Sequence, residues 1–327
     1  MKNKKIVIAG GTGFIGQSLC EYFGKDNNII ILTRGNSKAV NNNYGDTKLS
    51  CEVKGNVCFQ LWNGKDAGAW SDVVDGADLV INLTGKSVNC RYTAKNKQEI
   101  FDSRTDATKA IAYAIQRAAK PPKLWINAAS ATIYRYATDK PQDEYTGEIK
   151  NDFSVQVCKL WEKTFFEQQT PHTRKVALRM AVTLGNGGVM MPYLNLCKFG
   201  LGGKQGSGKQ MYSWVHEEDV CRSIDFLYEH TAMQGAYNVS SPNPVTNKTF
   251  MQTLRKVTHT SFGLPAYKWM LKIGAYIIGT ETELLLKSRW VVPTKLQEAG
   301  FVFKYPTLEA AFTTIINNLP RKKYHLF

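Results

Sequence analysis

The chain has 327 residues, 43% hydrophobic and 21% charged, an ordinary globular composition with length enough for two domains or for one domain with a substantial lobe. Its formal net charge is +15, from 42 Lys and Arg against 27 Asp and Glu. The basic residues are scattered and cluster only at the ends (Lys2, Lys4, Lys5 and Arg321, Lys322, Lys323), so no basic stripe interleaved with aromatics suggests nucleic acid, and a solvated surface with phosphate-binding needs accounts for the charge.

The first apolar run, IVIA at 6–9, is short, β-branched and uncharged, as a strand buried on both faces of a parallel sheet is. It leads into Gly10, Gly11, Thr12, Gly13, Phe14, Ile15 and Gly16, which satisfy both G-x-x-G-x-x-G and G-x-G-x-x-G. Missing side chains there let backbone N–H groups reach a pyrophosphate at a helix N-terminus. An apolar helical stretch (Ile15, Leu19, Cys20, Phe23) and a second strand at 29–32 complete a βαβ unit, so a dinucleotide is the expected ligand. The second strand ends in Thr33 and Arg34, with no carboxylate to accept from a ribose 2′-hydroxyl. A guanidinium there suits a 2′-phosphate, and NADP(H) is the expected cofactor.

Residues 35–56 read as a mobile polar loop beside the adenosine end of that cofactor. Strands recur at 57–62, 79–83, 124–128 and 176–178, with helical stretches at 96–119 and 154–168. The alternation predicts an α/β fold, a doubly wound parallel sheet of the NAD(P)-binding Rossmann type with a smaller, mixed C-terminal substrate lobe. The dinucleotide-binding domain is expected over 1–184, completed by about 214–235, and the substrate lobe over 185–213 and 236–327. The glycine-rich run 200–208 lacks the G-K-[ST] ending of a P-loop and reads as a flexible substrate-side loop, with His216 shortly after it. The first apolar run is too short for a signal peptide, and 269–286 is broken by Lys272, Glu281 and Glu283, so a soluble, cytoplasmic protein without membrane contact is expected. Seven cysteines without a C-x-x-C pair read as buried thiols rather than disulfides or a metal site.

Several stretches carry a family resemblance: GGTGFIG at 10–16, INLTG at 81–85, DSR at 102–104, ASATIY at 129–134, VCKLWE at 157–162, GLGGKQGSGKQMYSWVHEED at 200–219 and the tail SRWVVPTKLQEAGFVFKYPTLEAAF. Together they resemble the NAD(P)-dependent epimerase family proteins, an atypical branch of the extended short-chain dehydrogenase/reductases with its own C-terminal domain of unknown function. The resemblance covers nearly the whole chain. It implies that Leu83, Thr84 and Gly85 line the cofactor, that Glu99 and Arg104 approach it from the long helix, and that Thr183 lies near its nicotinamide end.

Typical members of the wider superfamily move a proton with a tyrosine and a lysine four residues later on one helix face, beside a Ser or Thr that positions the substrate oxygen. Ser130 stands where that hydroxyl belongs. The tyrosine position falls on Val155, with Lys159 four later, or, after a one-residue gap, on Ser154 with Cys158. Two literal Y-x-x-x-K matches, Tyr44 to Lys48 and Tyr136 to Lys140, read as chance, since Pro141 disfavours helix at Lys140. Tyr134 and His216 are candidates to supply the proton instead. The expected function is therefore an NADP(H)-dependent oxidoreductase or nucleotide-sugar epimerase-like enzyme lacking the usual dyad. Its rival is a non-catalytic NADP(H)-binding redox sensor or scaffold. The expected partner is a small molecule, a nucleotide sugar or another carbonyl compound; a homodimer stays open.

Overall fold

The computed structural model describes residues 1–35, 50–51, 56–279, 281 and 286–325. Most of the expected loop at 35–56, with Tyr44 and Lys48, lies outside them. Among the described residues, the β-branched runs become the middle of one sheet. Its strands are β1 (Lys5–Ala9), β2 (Asn28–Thr33), β3 (Ser50–Cys51), β4 (Val57–Leu61), β5 (Leu79–Asn82), β6 (Leu124–Ser130) and β7 (Arg174–Met180). After the short β8 (Val182–Leu184), β9 (Met211–Tyr212) and β10 (Trp214–His216), which pair elsewhere, the last sheet strand is β11 (Gly235–Val239). The order is β11-β7-β6-β5-β1-β2-β4-β3, parallel throughout except for β3.

The central strands are apolar on both sides because both faces are covered. Ile6 and Ile8 enter a core with Leu19 and Phe23 of α1 (Phe14–Phe23), while Val7 and Ala9 meet Ala107 and Ile111 of α2 (Ala94–Arg117) on the other side. Each Val, Leu, Ile or Phe among them contributes about 1.5 to 3 kcal/mol by leaving water. The two longest helices start on side-chain caps: Thr93 accepts from the Asn96 amide at 3.2 Å ahead of α2, and Asp152 accepts from the Val155 amide at 2.9 Å ahead of α3 (Phe153–Glu167). These caps set the starts within two residues of the sequence expectation.

A second core joins α4 (Met190–Lys198), α6 (Asn247–Val257) and the last helix, Leu308–Asn317, around Tyr193, Tyr212, Phe250 and Phe312. The segments expected in the substrate lobe, 185–213 and 236–327, do not all join this core. The sheet takes all of β11, and Leu296, Phe301 and Phe303 from the tail pack into the same core as Ile6. The strand GAYNV was hidden because it carries little apolar alternation.

Two further expectations are corrected. The glycine-rich run 200–208 is pinned rather than loose. The Leu264 amide donates to the Gly200 carbonyl at 2.8 Å, the Gly203 amide to the Leu264 carbonyl at 3.0 Å, and the Gly206 amide to the Ala266 carbonyl at 2.8 Å. A Cβ at Gly203 would lie 2.4 Å from the Leu264 backbone, so close chain approach explains that glycine. Cys58, opposite Cys51 in the antiparallel β3–β4 pair, is disulfide-bonded, whereas Cys20, Cys90, Cys158, Cys197 and Cys221 are free. Among the described residues no helix is long and apolar enough to cross a membrane.

Candidate functional site

The strand order reverses between β1 and β5, and a parallel sheet opens a crevice at the carboxyl ends of such a pair. A cleft of about 430 Å³ lies there. Gly10, Thr12 and Gly13 form one wall, Leu83, Thr84 and Gly85 the other, and Thr33 and Arg34 stand at the β2 end. The two walls touch: a Cβ on Gly10, whose φ is +79°, would come within 3.1 Å of the Leu83 carbonyl carbon. Thr84 is fixed from beneath by a buried amide network. Its amide donates to Asn82 Oδ1 at 3.1 Å, and Asn82 Nδ2 donates to Asn127 Oδ1 at 2.7 Å.

The other members of the glycine motif face inward. A Cβ on Gly11 would meet the Ile31 side chain at 2.9 Å, and one on Gly16 would lie 2.4 Å from the Gly11 Cα, so these two are glycine for packing. Ile15 joins the core, and the Phe14 ring lies against Gly187 and Gly188 of the loop after β8. Thr183 lines neither this cleft nor the cavity described below; its hydroxyl donates to the Ala181 carbonyl at 3.4 Å.

Sequence reasoning missed Lys65 and Lys86, which also line the cleft. Lys65 follows β4, whose end sits beside that of β2, and Asn63 Oδ1 holds the Lys65 amide at 2.9 Å. Lys86 donates to the Asn96 side chain at 2.8 Å and pairs closely with Glu99. Glu99 thus anchors a cleft lysine from outside without lining the cleft itself, and the Lys86 ammonium holds its carboxyl below the usual range.

Arg104 separates this cleft from a second space. One guanidinium nitrogen donates to the carbonyls of Lys86 at 3.1 Å and Ile100 at 2.9 Å, and the group lies over the Trp161 ring at 4.9 Å. Its Nε is buried without a hydrogen-bond partner among the described residues. Beyond it is a cavity of about 220 Å³ lined by Ser130, Thr132, Tyr92, Ser154, Cys158 and Trp161, among others. Ser130 ends β6, and its hydroxyl accepts from the Thr132 amide at 3.2 Å, which starts a short 3-10 turn, Ala131–Ile133.

The register of α3 decides between the two sequence alternatives. Ser154, Val157, Cys158 and Trp161 share the cavity face, and Lys159 is exposed on another face beside Leu160 and Lys163. Lys159 therefore reaches neither site, and Lys159→Ala is expected to change NADPH affinity by less than about 0.5 kcal/mol by calorimetry. A tenfold loss would place its ammonium on the ribose. Burial holds the Cys158 thiol protonated, its pKa pushed up to about 12.

The two proposed proton donors are corrected. The 3-10 turn carries Tyr134 into the core, where its hydroxyl donates to Asn238 Oδ1 at 3.0 Å and accepts from Arg179 at 2.8 Å. Burial raises its pKa. Arg179 is itself paired with Glu162 at 2.8 Å. Tyr134 thus has a structural role, and Tyr134→Phe is expected to cost about 1 to 2 kcal/mol in urea melts with NADPH affinity unchanged; an unaltered melt together with lost binding would reverse that assignment. His216 is buried, its ring lies tilted against that of Tyr305 with centroids 3.9 Å apart, and it accepts the Glu218 amide at 3.1 Å as the N-cap of α5 (Glu217–Glu229). Burial pushes its pKa down to about 4, which keeps the ring neutral for that role. Tyr136 and Lys140 lie outside any helix, and Lys140 pairs with Glu148 at 2.7 Å.

A wider depression of about 700 Å³, lined by Lys4, Lys123 and Arg174 among others, lies at the starts of β1, β6 and β7, the wrong end of the sheet for a ligand crevice. Among the described residues no three His, Cys, Asp or Glu side chains are grouped to hold a metal.

Comparison with known proteins agrees with this fold. Residues 6–240 match the NAD dependent epimerase/dehydratase family, and 268–315 match a domain of unknown function, DUF1731. The epimerase family protein YfhF of Bacillus subtilis is 31% identical over 311 residues, 95% of this chain and 97% of that protein. Epimerase family protein SSP1921 of Staphylococcus saprophyticus is 31% identical over 96% of this chain and 100% of its own length. Among solved structures, the human epimerase family protein SDR39U1 with NADPH superposes with a TM-score of 0.81 at 24% identity, covering 96% of this chain and 100% of that one. A UDP-N-acetylglucosamine 4-epimerase from Methanobrevibacter ruminantium gives 0.71 at 17% identity, with coverage of 97% and 98%. The chain therefore belongs to the NAD-dependent epimerase/dehydratase family and carries the DUF1731 region at its C-terminal end.

Proposed function

We propose that this chain is an NADP(H)-dependent oxidoreductase acting on a small carbonyl compound, without the Tyr-x-x-x-Lys dyad of its wider superfamily. The observation that carries the reading is the adjacency of two spaces: a glycine-walled cleft with Arg34 and Lys65 at its mouth, and a cavity beside Ser130 divided from it by Arg104. The cleft fits the cofactor. Gly13 leaves backbone open at the start of α1 for a pyrophosphate, and Arg34 and Lys65 would hold a 2′-phosphate. NADPH, when bound, supplies a hydride.

The chain's own residues do the rest. Ser130 and Thr132 present hydroxyls to a carbonyl oxygen, while Trp161 and Phe153 keep the cavity dry enough to strengthen those hydrogen bonds. In the places of the usual dyad stand Ser154 and Cys158, and a thiol held protonated at about 12 lends no positive charge to a neighbouring acid. Tyr92, which also lines the cavity, takes the proton donor's part. Incubation with NADPH deuterated at nicotinamide C4 and a panel of carbonyl compounds tests the reading. Deuterium is expected on the carbinol carbon of a product. Tight NADPH binding with no transfer across the panel, and no epimerised sugar among the products, favours the sensor instead.

A further inference from the structure

We propose that the outer face of the C-terminal lobe docks on an anionic membrane surface, with α7 (Lys268–Ile278) and the adjoining segment 262–264 placing aromatic side chains among the lipid headgroups. The expectation of no membrane contact rested on cations scattered along the chain, and the fold gathers many of them. The stretches 190–212, 247–285 and 308–327, which build most of the second core and α7, hold 11 Lys and Arg against three Asp and Glu. Of those three, Glu309 pairs with Lys256 at 2.7 Å, Glu281 accepts from the Tyr92 amide at 3.1 Å, and Glu283 lies outside the described residues. Lys204, Lys209, Lys248, Lys268 and Lys272 are exposed and form no ion pair among the described residues. None of these five lines the cofactor cleft or the cavity beside Ser130.

Exposed apolar side chains sit among those cations. The Leu264 amide, bonded to the Gly200 carbonyl, lays 262–264 beside 199–201, and a Cβ on Gly200 would come 3.7 Å from the Phe262 ring. Phe199, Leu201, Phe262 and Leu264, all exposed, therefore share one edge of the lobe. Lys198 Nζ donates to the Lys322 carbonyl at 2.8 Å, which sets the exposed Arg321, Lys322 and Lys323 against the same end of α4. Three residues beyond Leu264, Tyr267 leads into α7, where Trp269 is 63% and Tyr276 75% exposed. Lys268, Trp269, Lys272 and Tyr276 fall within an arc of about 100° on a helix. The Arg91 guanidinium lies 4.8 Å over the Tyr276 ring and carries the positive charge past the helix end. A helix lying in a membrane interface combines these residue types, with Trp and Tyr rings at headgroup depth and Lys reaching lipid phosphates. Two other occupants fit less well. A second copy of the chain would set cation against cation. Single-stranded nucleic acid would stack on the rings but leave Leu201, Leu264 and Met270 without partners, whereas lipid takes aliphatic and aromatic surface alike.

Vesicles of phosphatidylglycerol and phosphatidylcholine in equal parts, set against vesicles of phosphatidylcholine alone, test this with the full chain. Trp269 is the only exposed tryptophan among the described residues, so the emission is expected to shift to the blue with the anionic vesicles alone. Co-sedimentation is expected to show partition onto those vesicles about tenfold or more above that onto phosphatidylcholine, falling as salt rises. Phe262→Ser combined with Trp269→Ser keeps every charge and is expected to lower the anionic partition about tenfold. Lys268→Gln combined with Lys272→Gln keeps the rings and is expected to lower it by a similar factor. All four side chains are exposed, so circular dichroism should be unaltered, and the comparison of the two vesicles on the wild type stands even if a variant fails to fold. A wild type that ignores the anionic vesicles, or binds both kinds equally, overturns the proposal. So does a folded Phe262→Ser, Trp269→Ser variant that binds as wild type does, because charge alone would then account for the contact. Single-stranded RNA that binds more tightly than the anionic vesicles at equal salt, or a dimer in light scattering that the same substitutions dissolve, gives the face to another occupant and overturns it as well.

Discussion

Gly13→Val is expected to fold normally and to lose NADPH binding by roughly a hundredfold or more, about 3 kcal/mol. The glycines of the motif have different reasons to be glycine. Gly10 has φ +79° and abuts the Leu83 backbone, and Gly11 and Gly16 have no room for a Cβ. Gly13 has neither constraint. As the N-cap of α1 it has φ −76° and ψ 172°, which any residue adopts, and a Cβ there would meet only the Gly10 carbonyl oxygen, at 3.4 Å. Protein packing thus leaves Gly13 free to vary, and the group that excludes a side chain there is the one that occupies the cleft. Gly16→Val is the contrasting control, because it is expected to disrupt the β1–α1 turn itself. Circular dichroism reports the fold and calorimetry the affinity; a folded Gly13→Val that binds NADPH as wild type does would place the pyrophosphate elsewhere.

What the sequence disclosed follows from how local each signal is. The glycine turn, the β-branched strands and the long amphipathic α2 and α3 are set by neighbours in the chain, and they stand within about two residues of expectation. Cleft residues on β1, β2 and the end of β5 were legible for the same reason. Lys65 was not, because its place beside Arg34 depends on β4 pairing with β2 across the sheet. Ser154 and Val155 differ by about 100° around a helix, so spacing from Ser130 alone did not fix which one faces the cavity. Tyr134 shows a different failure. Four residues from Ser130 suggests a shared helical face, yet the intervening turn is 3-10 and the chain then extends, which buries the ring. Lys287 and Arg289 lie more than 150 residues from Ser130 in sequence, and only the docked tail brings them to it.

Arg34→Asp is expected to shift cofactor preference by about 2 to 3 kcal/mol toward NADH. Arg34 ends β2 at the cleft mouth, where Gly64 and Lys65 face it from the end of β4; a Cβ on Gly64 would come 3.6 Å from the Arg34 Cδ. A 2′-phosphate placed there meets two cations, and both are exposed, so solvent screens the attraction and keeps it well below that of a buried pair. Exchange for Asp removes one attraction and introduces a like charge. The same carboxylate accepts a hydrogen bond from the free 2′-hydroxyl of NADH, a group that a phosphate ester no longer offers. NADPH affinity therefore falls while NADH affinity holds or rises. Lys65 limits the size of the fall, because its ammonium remains when Arg34 is replaced; the double variant Arg34→Asp, Lys65→Ala is expected to fall further. Raising the salt concentration should narrow the wild-type preference for NADPH and leave the weak binding of NADH little changed, since only the former depends on the extra phosphate charge. Titrations of both reduced cofactors against wild type and each variant decide the matter: a wild type that prefers NADH, or an Arg34→Asp variant that keeps its preference for NADPH, removes the 2′-phosphate from this end of the cleft.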